Sequence, residues 1–187
     1  WLQIPLADEI ESIVASASKR GEPIYVEFGP GDAPVGLEYA KAVKGAHVIS
    51  IEPDVRPIDW SVINVTYPPR NYSFLMGRAE ELAAFSAETP LVEGVVMVAP
   101  EDRDVMKLIL SAAIAVKPGG EIRLFQRMDA MFPGQLLEGM GFETKVYALD
   151  PKAGPVPPSK HLPPGEPVRM VSIEVPSGGF LDEAVEE

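Results

Sequence analysis

Two acidic residues flank a glycine-rich turn near the start of the sequence, in a spacing typical of nucleotide-binding units. A short apolar run carries Glu27 and leads into Gly29-Pro30-Gly31-Asp32-Ala33, and a second apolar run ends on Glu52 and Pro53. Glycines at such a turn accept backbone angles that are closed to other residues, so a ligand can lie against the main chain. A carboxylate at the end of the next strand can accept hydrogen bonds from a ribose. The pattern therefore indicates a nucleotide-like ligand.

The residues around this turn predict a strand, a turn, a helix and a second strand. Residues 24–28 form a short apolar run typical of a buried strand. Pro34 suits the first turn of a helix, because its missing N–H costs nothing there. That helix would aim its free N–H groups and the positive end of its dipole at the turn. The ligand would thus lie against backbone donors.

Further apolar runs predict that helices and strands alternate along the rest of the chain. A leading amphipathic helix at residues 6–20 ends at Gly21, and a second clear helix begins near Val105 and ends at residues 118–120. The remaining predicted elements are strands at 72–76, 95–98, 121–125, 142–149 and 168–175, a helix that starts at residues 78–85, and a helix at 132–140. With 187 residues the chain has the length of one domain, and we expect a single domain over residues 1–187.

Four segments together resemble the class I, Rossmann-like methyltransferases that use S-adenosylmethionine (SAM). They are Val26–Gly31, Ile51–Pro53, Gly77–Leu82, which is similar to the adenine-side segment of that family, and Val116–Gly120, which is similar to the turn entering its fifth strand. The segments follow the order of the family across residues 24–125. The resemblance implies an α/β fold, doubly wound, with a mostly parallel seven-stranded sheet and an antiparallel edge hairpin.

The resemblance also implies SAM as the cofactor. Glu27 would bind its amino group, the glycine turn its methionine part, Glu52 its ribose, and Arg78 with Ala79 its adenine edge. The implied cofactor-binding residues are Glu27, Gly29, Pro30, Gly31, Ala33, Glu52, Pro53, Arg78, Ala79 and Val98.

Arg78 departs from the family pattern. Many members carry an acid at this position, and an arginine cannot accept the hydrogen bond of the adenine amino group. Either the backbone of Ala79 makes that contact while Arg78 stacks on the ring or pairs with an acid, or the cofactor pocket is altered. We favour the first interpretation.

A nicotinamide dinucleotide is the main alternative to SAM. Its fingerprint has glycine or alanine where Pro34 stands, and the carboxylate of Glu27 suits a cationic amino group better than a pyrophosphate. We therefore favour SAM.

No catalytic residue can be assigned from the sequence, because methyl transfer needs chiefly alignment of the two reacting groups. Glu101 or Asp102 could act as a general base, although Asp102 is better explained as a helix cap. The motif that amino-methylating relatives carry after the fourth strand is absent, which argues against base amines as substrates.

Composition and charge guide the expected partners. Lys+Arg 16 against Asp+Glu 28 gives a net charge of −12, and the basic residues are scattered singly along the sequence. A nucleic acid would be repelled in the absence of a local basic patch, so we expect a small molecule or a protein group as methyl acceptor and consider nucleic acid unlikely. The oligomeric state is not indicated.

The sequence does not favour a metal site or a membrane protein. Glu101 or Asp102 together with Asp129 could hold magnesium, as in some O-methyltransferases, but such acids are frequent in so acidic a chain. There is no cysteine, and the two histidines are far apart in sequence. No apolar run has the length needed to cross a bilayer, so cytoplasm is the default.

The sequence leaves two alternatives open for the role of a proline-rich segment and two for the function of the chain. Residues 150–167 contain seven prolines among eighteen residues and form either a lid over the substrate or a surface insert. Residues 178–187 form an acidic tail. The chain is predicted to be a methyltransferase, with a non-catalytic SAM-binding or protein-interaction module as the alternative.

Overall fold

A computed structural model describes residues 6–30, 35–53, 69–86, 90–98, 105–149 and 167–178 of the chain. The strands are β1 (Ile24–Phe28), β2 (His47–Glu52), β3 (Tyr72–Met76), β4 (Val92–Val98), β5 (Val116–Arg127), β6 (Glu143–Leu149) and β7 (Val168–Glu174). The helices are α1 (Leu6–Arg20), α2 (Val35–Ala42), α3 (Ala79–Ser86), α4 (Val105–Ala115) and α5 (Gly134–Gly139). None of these helices combines the length and the apolar character needed to cross a membrane.

The strands form one seven-stranded sheet in the order β3-β2-β1-β4-β5-β7-β6. The pairs from β3 through to β5 are all parallel, whereas β7 pairs antiparallel with both β5 and β6. Since β6 is reversed twice relative to β5, it runs in the same direction as the first five strands. The predicted mostly parallel sheet with an antiparallel edge hairpin is confirmed.

The entry to β5 differs from the prediction. Residues 116–120 were expected to form a turn after a helix, but α4 ends at Ala115 and Val116 already pairs with Val92 in the sheet. The register then shifts between Val92 and Gly94, which accommodates the extra residues before Glu121. Such a bulge changes the local pairing without ending the strand. The strand is therefore longer than the apolar pattern indicated.

One face of the sheet carries the main hydrophobic core. Helices α1, α3, α4 and α5 contribute buried side chains to this core, and alternate residues of the inner strands pack against them. Representative fully buried members are Ile10, Leu82, Ile109 and Ile122. Each such side chain contributes about 1.5–3 kcal/mol relative to exposure, so this layer holds the sheet that positions the loops at its edges.

The opposite face carries α2. Leu37 and Ala40 of this helix pack against Val48 and Tyr72 in a second, smaller cluster. The same face continues over β4, β5 and β7, where Phe125 and neighbouring residues line a cavity of about 500 Å³. Helix α2 therefore has few apolar contacts, and polar contacts with the sheet become important for its position.

Candidate functional site

The ends of four parallel strands bring most of the predicted cofactor-binding segments to one edge of the sheet, which we call the carboxyl edge. Phe28 pairs with Ile51 on one side and with Met97 on the other, so Gly29 follows between Glu52 and Val98. The backbone N–H of Gly29 donates to the carbonyl of Ile51 at 3.0 Å. The order of the strands thus places the glycine turn beside the acid predicted to bind a ribose.

Gly29 has the backbone conformation expected at such a turn. Its φ is +64°, in the left-handed region, and an added Cβ would meet no atom within 4 Å. Glycine is needed here for the backbone angle rather than for space, because other residues lose about 1–2 kcal/mol in this conformation. The main chain at this point of the carboxyl edge is therefore open to a ligand.

Glu52 is buried at the end of β2, with 6% of its surface exposed. Its carbonyl accepts a hydrogen bond of 3.1 Å from the N–H of Gly77, the first residue of the adenine-side segment. This bond ties the end of β2 to the loop that enters α3. The structure thereby joins two of the predicted segments directly.

Glu27 holds α2 against the sheet. Its side chain is 3% exposed, and Oε2 accepts hydrogen bonds from the N–H of Gly36 at 2.9 Å and from the Ser50 hydroxyl at 2.7 Å. The first N–H groups of a helix lack partners within the helix, and a carboxylate is a strong acceptor for them. The contact of Glu27 with a cofactor amino group remains a prediction.

Gly36 is a residue that the geometry of the candidate site requires and that the sequence pattern did not single out. A Cβ at this position would lie 2.8 Å from Glu27 Oε2, 2.9 Å from Ser50 Oγ and 3.0 Å from Val48 Cγ1. Only glycine allows α2 to approach the strands this closely. The close helix–strand contact that the dinucleotide fingerprint places at the position of Pro34 is made here by Gly36, two residues further along the chain.

A tyrosine lies beside the buried carboxylate. Burial raises the pKa of the Tyr72 phenol, and the charge of Glu27 adds to the rise, while Ser50 opposes it. The phenol therefore stays neutral over the physiological range. Tyr72 therefore adds no second charge beside the carboxylate of Glu27.

Arg78 lies at the start of α3 with its side chain exposed. Its backbone N–H donates a hydrogen bond of 2.6 Å to Oε2 of Glu81. A glutamate in the first turn of a helix commonly accepts such a bond from the residue just before the helix. Ala79 follows and is buried. The interpretation that Ala79 contacts adenine through its backbone remains a prediction, as does a stacking role for the guanidinium.

Several predicted residues are placed only in part. Pro30 is buried and Pro53 is exposed at the carboxyl edge, while Gly31 and Ala33 lie outside the described residues. Val98 ends β4. The acids Glu101 and Asp102 also lie outside the described residues, as does the loop predicted as a lid. The structure describes the two ends of that loop, since Leu149 pairs with Val168 at the carboxyl edge.

Within the described ranges, no group of three or more His, Asp or Glu side chains could hold a metal ion. Asp129, the described member of the magnesium alternative, accepts hydrogen bonds from Arg127 at 3.0 and 2.7 Å. Its carboxylate is therefore engaged in an ion pair.

No model of a known protein family matches the chain, and no curated protein sequence matches it. Several solved structures, however, are similar to the structure of this chain. An antibiotic-related methyltransferase has a TM-score of 0.68 at 17% identity, covering 92% of this chain and 96% of that chain. A mutant of the 16S rRNA (adenine(1408)-N(1))-methyltransferase from Catenulisporales acidiphilia, with the cosubstrate SAM, has a TM-score of 0.68 at 16% identity, covering 94% of each chain. A precorrin-6y C5,15-methyltransferase from Geobacter metallireducens has a TM-score of 0.57 at 16% identity, covering 89% of this chain and 87% of that chain.

These comparisons show that the chain has the fold of the class I, Rossmann-like methyltransferases, as the sequence motifs predicted. At such identities the likeness concerns the fold alone. The neighbours differ in what they modify, since one is an rRNA methyltransferase and another acts on precorrin-6y. The fold therefore leaves the methyl acceptor open.

The prediction that nucleic acid is an unlikely partner is wrong. An rRNA methyltransferase shares the fold over nearly the whole chain, so the fold is compatible with such a substrate. The prediction also assumed that the basic residues are scattered, but Arg20, Lys44 and Arg70 line one cavity. These residues are far apart in sequence, and only the order of the strands brings them together. A net charge of −12 describes the whole chain and does not describe each part of its surface.

Proposed function

We propose that this chain is a SAM-dependent methyltransferase whose cofactor binds across the carboxyl edge of β1, β2, β3 and β4. The observation that carries the proposal is the pairing of a buried carboxylate, Glu52, with a neighbouring glycine of positive φ, Gly29. An aminoacyl nucleoside needs an acceptor for its two ribose hydroxyls and a stretch of main chain that no side chain covers. The likeness in fold to methyltransferases supports the same assignment.

SAM, when bound, supplies a methyl group on a positively charged sulfur that is already a good leaving group. The residues of this chain would therefore act chiefly by binding and orienting. Glu52 would accept hydrogen bonds from the ribose, and Arg78 with Ala79 would line the adenine. Glu27 would contribute by fixing the amino end of α2, because that end follows the glycine turn directly.

The acceptor is proposed only as a class that includes small molecules, protein groups and nucleic acids. The sequence pattern favoured the first two, and the rRNA methyltransferase among the structural neighbours supports including the third. The interpretation of residues 1–187 as one domain, with a proline-rich loop and an acidic tail, is part of the same proposal.

Titration calorimetry with SAM tests the cofactor site. Hydrogen bonds to a charged group contribute about 1.5–3 kcal/mol, so we expect Glu52→Ala to weaken SAM binding by at least about tenfold. Glu143→Ala is the matched control. Glu143 is exposed on β6, so this substitution removes the same charge far from the glycine turn. Equal affinity in the Glu52 variant and the unaltered protein would refute the assignment.

A non-catalytic SAM-binding module is the second candidate. It is favoured by Arg78, which is exposed at a position where many class I members carry an acid. Incubation with methyl-labelled SAM and a panel of RNAs, metabolites and proteins separates the two candidates. Transfer of label to any acceptor supports the enzyme, whereas tight binding of SAM without transfer supports the module.

A further inference from the structure

The edge of the sheet opposite the carboxyl edge, which we call the amino edge, contains a cavity of about 300 Å³. Arg20, Glu22, Lys44, Arg70 and Asn71 line it. Arg20 ends α1, and the other four residues belong to the connections that lead into the starts of β1, β2 and β3. We call this cavity the basic cavity. It lies a full strand length from the glycine turn and is separate from the predicted cofactor site.

Asn71 fixes two walls of the basic cavity to each other. Its side-chain amide donates hydrogen bonds to the carbonyls of Ala40 at 3.0 Å, Val43 at 3.0 Å and Ala46 at 2.8 Å. These carbonyls surround the segment that carries Lys44, so Lys44 is held next to the turn that carries Arg70. The fold thus fixes the backbone positions of Lys44 and Arg70 next to each other, and both side chains line the same cavity.

Arg20 is held in place from the other side. Its guanidinium lies 2.7 Å from Glu22 Oε2 and 3.3 Å from Nδ1 of the buried His47, which accepts its hydrogen bond. The opposite ring nitrogen of His47, Nε2, is 3.0 Å from the Ser73 hydroxyl and donates to it. A neutral histidine that accepts at Nδ1 orients the guanidinium without adding charge.

The basic cavity has an excess of positive charge. Three cations face one carboxylate, Glu22, which gives a local charge of +2 in a chain whose net charge is −12. Glu22 is already paired with Arg20. Lys44 and Arg70 are exposed, and neither forms an ion pair in the described part of the chain. Two cations are therefore available to an anion.

We propose that the basic cavity binds a phosphate group, either free or within a nucleotide strand. The planar guanidinium of Arg70 and the ammonium of Lys44 match the oxygens of a phosphate, and the amide of Asn71 holds together the backbone segments that carry them. A site of this kind gives an acidic protein a local point of attachment for a ligand that its overall charge would repel. The inference concerns the amino edge and does not depend on the cofactor proposal.

The test compares the full chain with the double variant Lys44→Glu and Arg70→Glu. One arm measures binding of inorganic phosphate by calorimetry, and the other measures binding of a fluorescently labelled RNA oligonucleotide by anisotropy at low salt. The logarithm of the affinity for RNA falls linearly with the logarithm of the salt concentration, with a slope of about −1 for each phosphate contact. Each contact that is lost should therefore make this slope shallower by about one. We expect the double variant to bind at least about tenfold more weakly in the arm that reports the true ligand.

Lys145→Glu is the matched control, because Lys145 is exposed on β6, forms no ion pair with any residue of the described ranges, and the substitution changes the charge by the same amount per site. Arg70→Lys should lose less affinity than a charge reversal at this position, because it keeps the positive charge but not the planar guanidinium. A fall in phosphate binding identifies a site for free phosphate, and a fall in RNA binding alone identifies a site for a strand. The proposal is overturned if neither arm changes in the double variant, or if Lys145→Glu weakens binding as much. Unchanged SAM affinity and thermal unfolding in the double variant separate this result from a failure of the cofactor site or of folding.

Discussion

The two edges of the sheet are built from the same strands but carry opposite charge. At the carboxyl edge, Glu27 lies one residue before the end of β1 and Glu52 ends β2, and both are buried. At the amino edge, the connections into the same strands carry Arg20 and Lys44, both exposed. The Glu27 carboxylate accepts hydrogen bonds from Gly36 and Ser50 inside the protein, whereas the side chains of Arg20 and Lys44 are exposed to solvent. A sheet can therefore present an acidic site and a basic site at a distance of one strand length, and the net charge of the chain predicts neither.

The two edges also differ in how they are held together. The carboxyl edge depends on close packing around Gly36, where no side chain fits. The amino edge depends on the hydrogen bonds of Asn71. Substitutions at these positions test this difference, because a packing defect and a lost set of hydrogen bonds lower the free energy of unfolding by different amounts.

The largest effect is expected from Gly36→Val. Overpacking against Ser50 and Val48 adds to the loss of the hydrogen bond to Glu27, and together these should lower the free energy of unfolding by about 3 kcal/mol. Urea unfolding of the ligand-free protein measures this loss of stability. Gly45→Ala is the matched control, since an added Cβ there meets nothing within 4 Å, and it should change stability by less than about 0.5 kcal/mol. Equal stability of the two variants would mean that α2 does not approach the strands as described.

A smaller effect is expected from Asn71→Ala. The variant leaves three backbone carbonyls without their donor, but these lie near the surface and water can replace part of the loss, so we expect about 1.5 kcal/mol. Urea unfolding measures this change as well. Asn71→Asp should be destabilised at least as much, because a carboxylate cannot donate to carbonyls. A fully stable Asn71→Asp variant would contradict the described contacts.

The smallest effect is a dependence of stability on pH through His47. Burial, aided by the charge of Arg20, lowers the pKa of His47 in the folded protein. The unfolded chain then binds more protons below its pKa of about 6.5, so the free energy of unfolding should fall as the pH falls through this value. The loss through one histidine is at most about 0.7 kcal/mol between about pH 7 and pH 6.

Unfolding in urea at several pH values checks this sign. His47→Gln should lose that part of the dependence on pH. Glu22 acts in a lower range: the hydrogen bond from Arg20 lowers the pKa of its carboxyl, so the stability it contributes is lost only below about pH 4.5. Loss of stability near neutral pH that persists in the His47 variant would contradict the assignment.

The fold was predictable because its signals are local. Gly29, the apolar run ending on Glu52 and the strand at 72–76 each appear within a few residues, and the described structure places all of them as expected. Gly36 was missed because its role depends on contacts with Glu27 and Ser50, which are far along the chain. The basic cavity was missed for the same reason, since Arg20 and Arg70 meet only through the strand order.

The entry to β5 was mispredicted for a different physical reason. Lys117, Pro118 and two glycines are typical of a turn, yet a register shift lets the sheet carry them without ending the strand. A local pattern of turn residues cannot distinguish the end of a strand from a bulge inside it. The partner strand decides between the two.

The pairing of Leu149 with Val168 has a practical consequence for protein engineering. Because these two residues are direct partners across antiparallel strands, β6 and β7 already meet at the point where the chain leaves the sheet. A two-residue hairpin turn can link strands in this arrangement. The proline-rich connection between them is therefore a natural place to shorten the chain, exchange a sequence or insert a reporter while the sheet keeps its register.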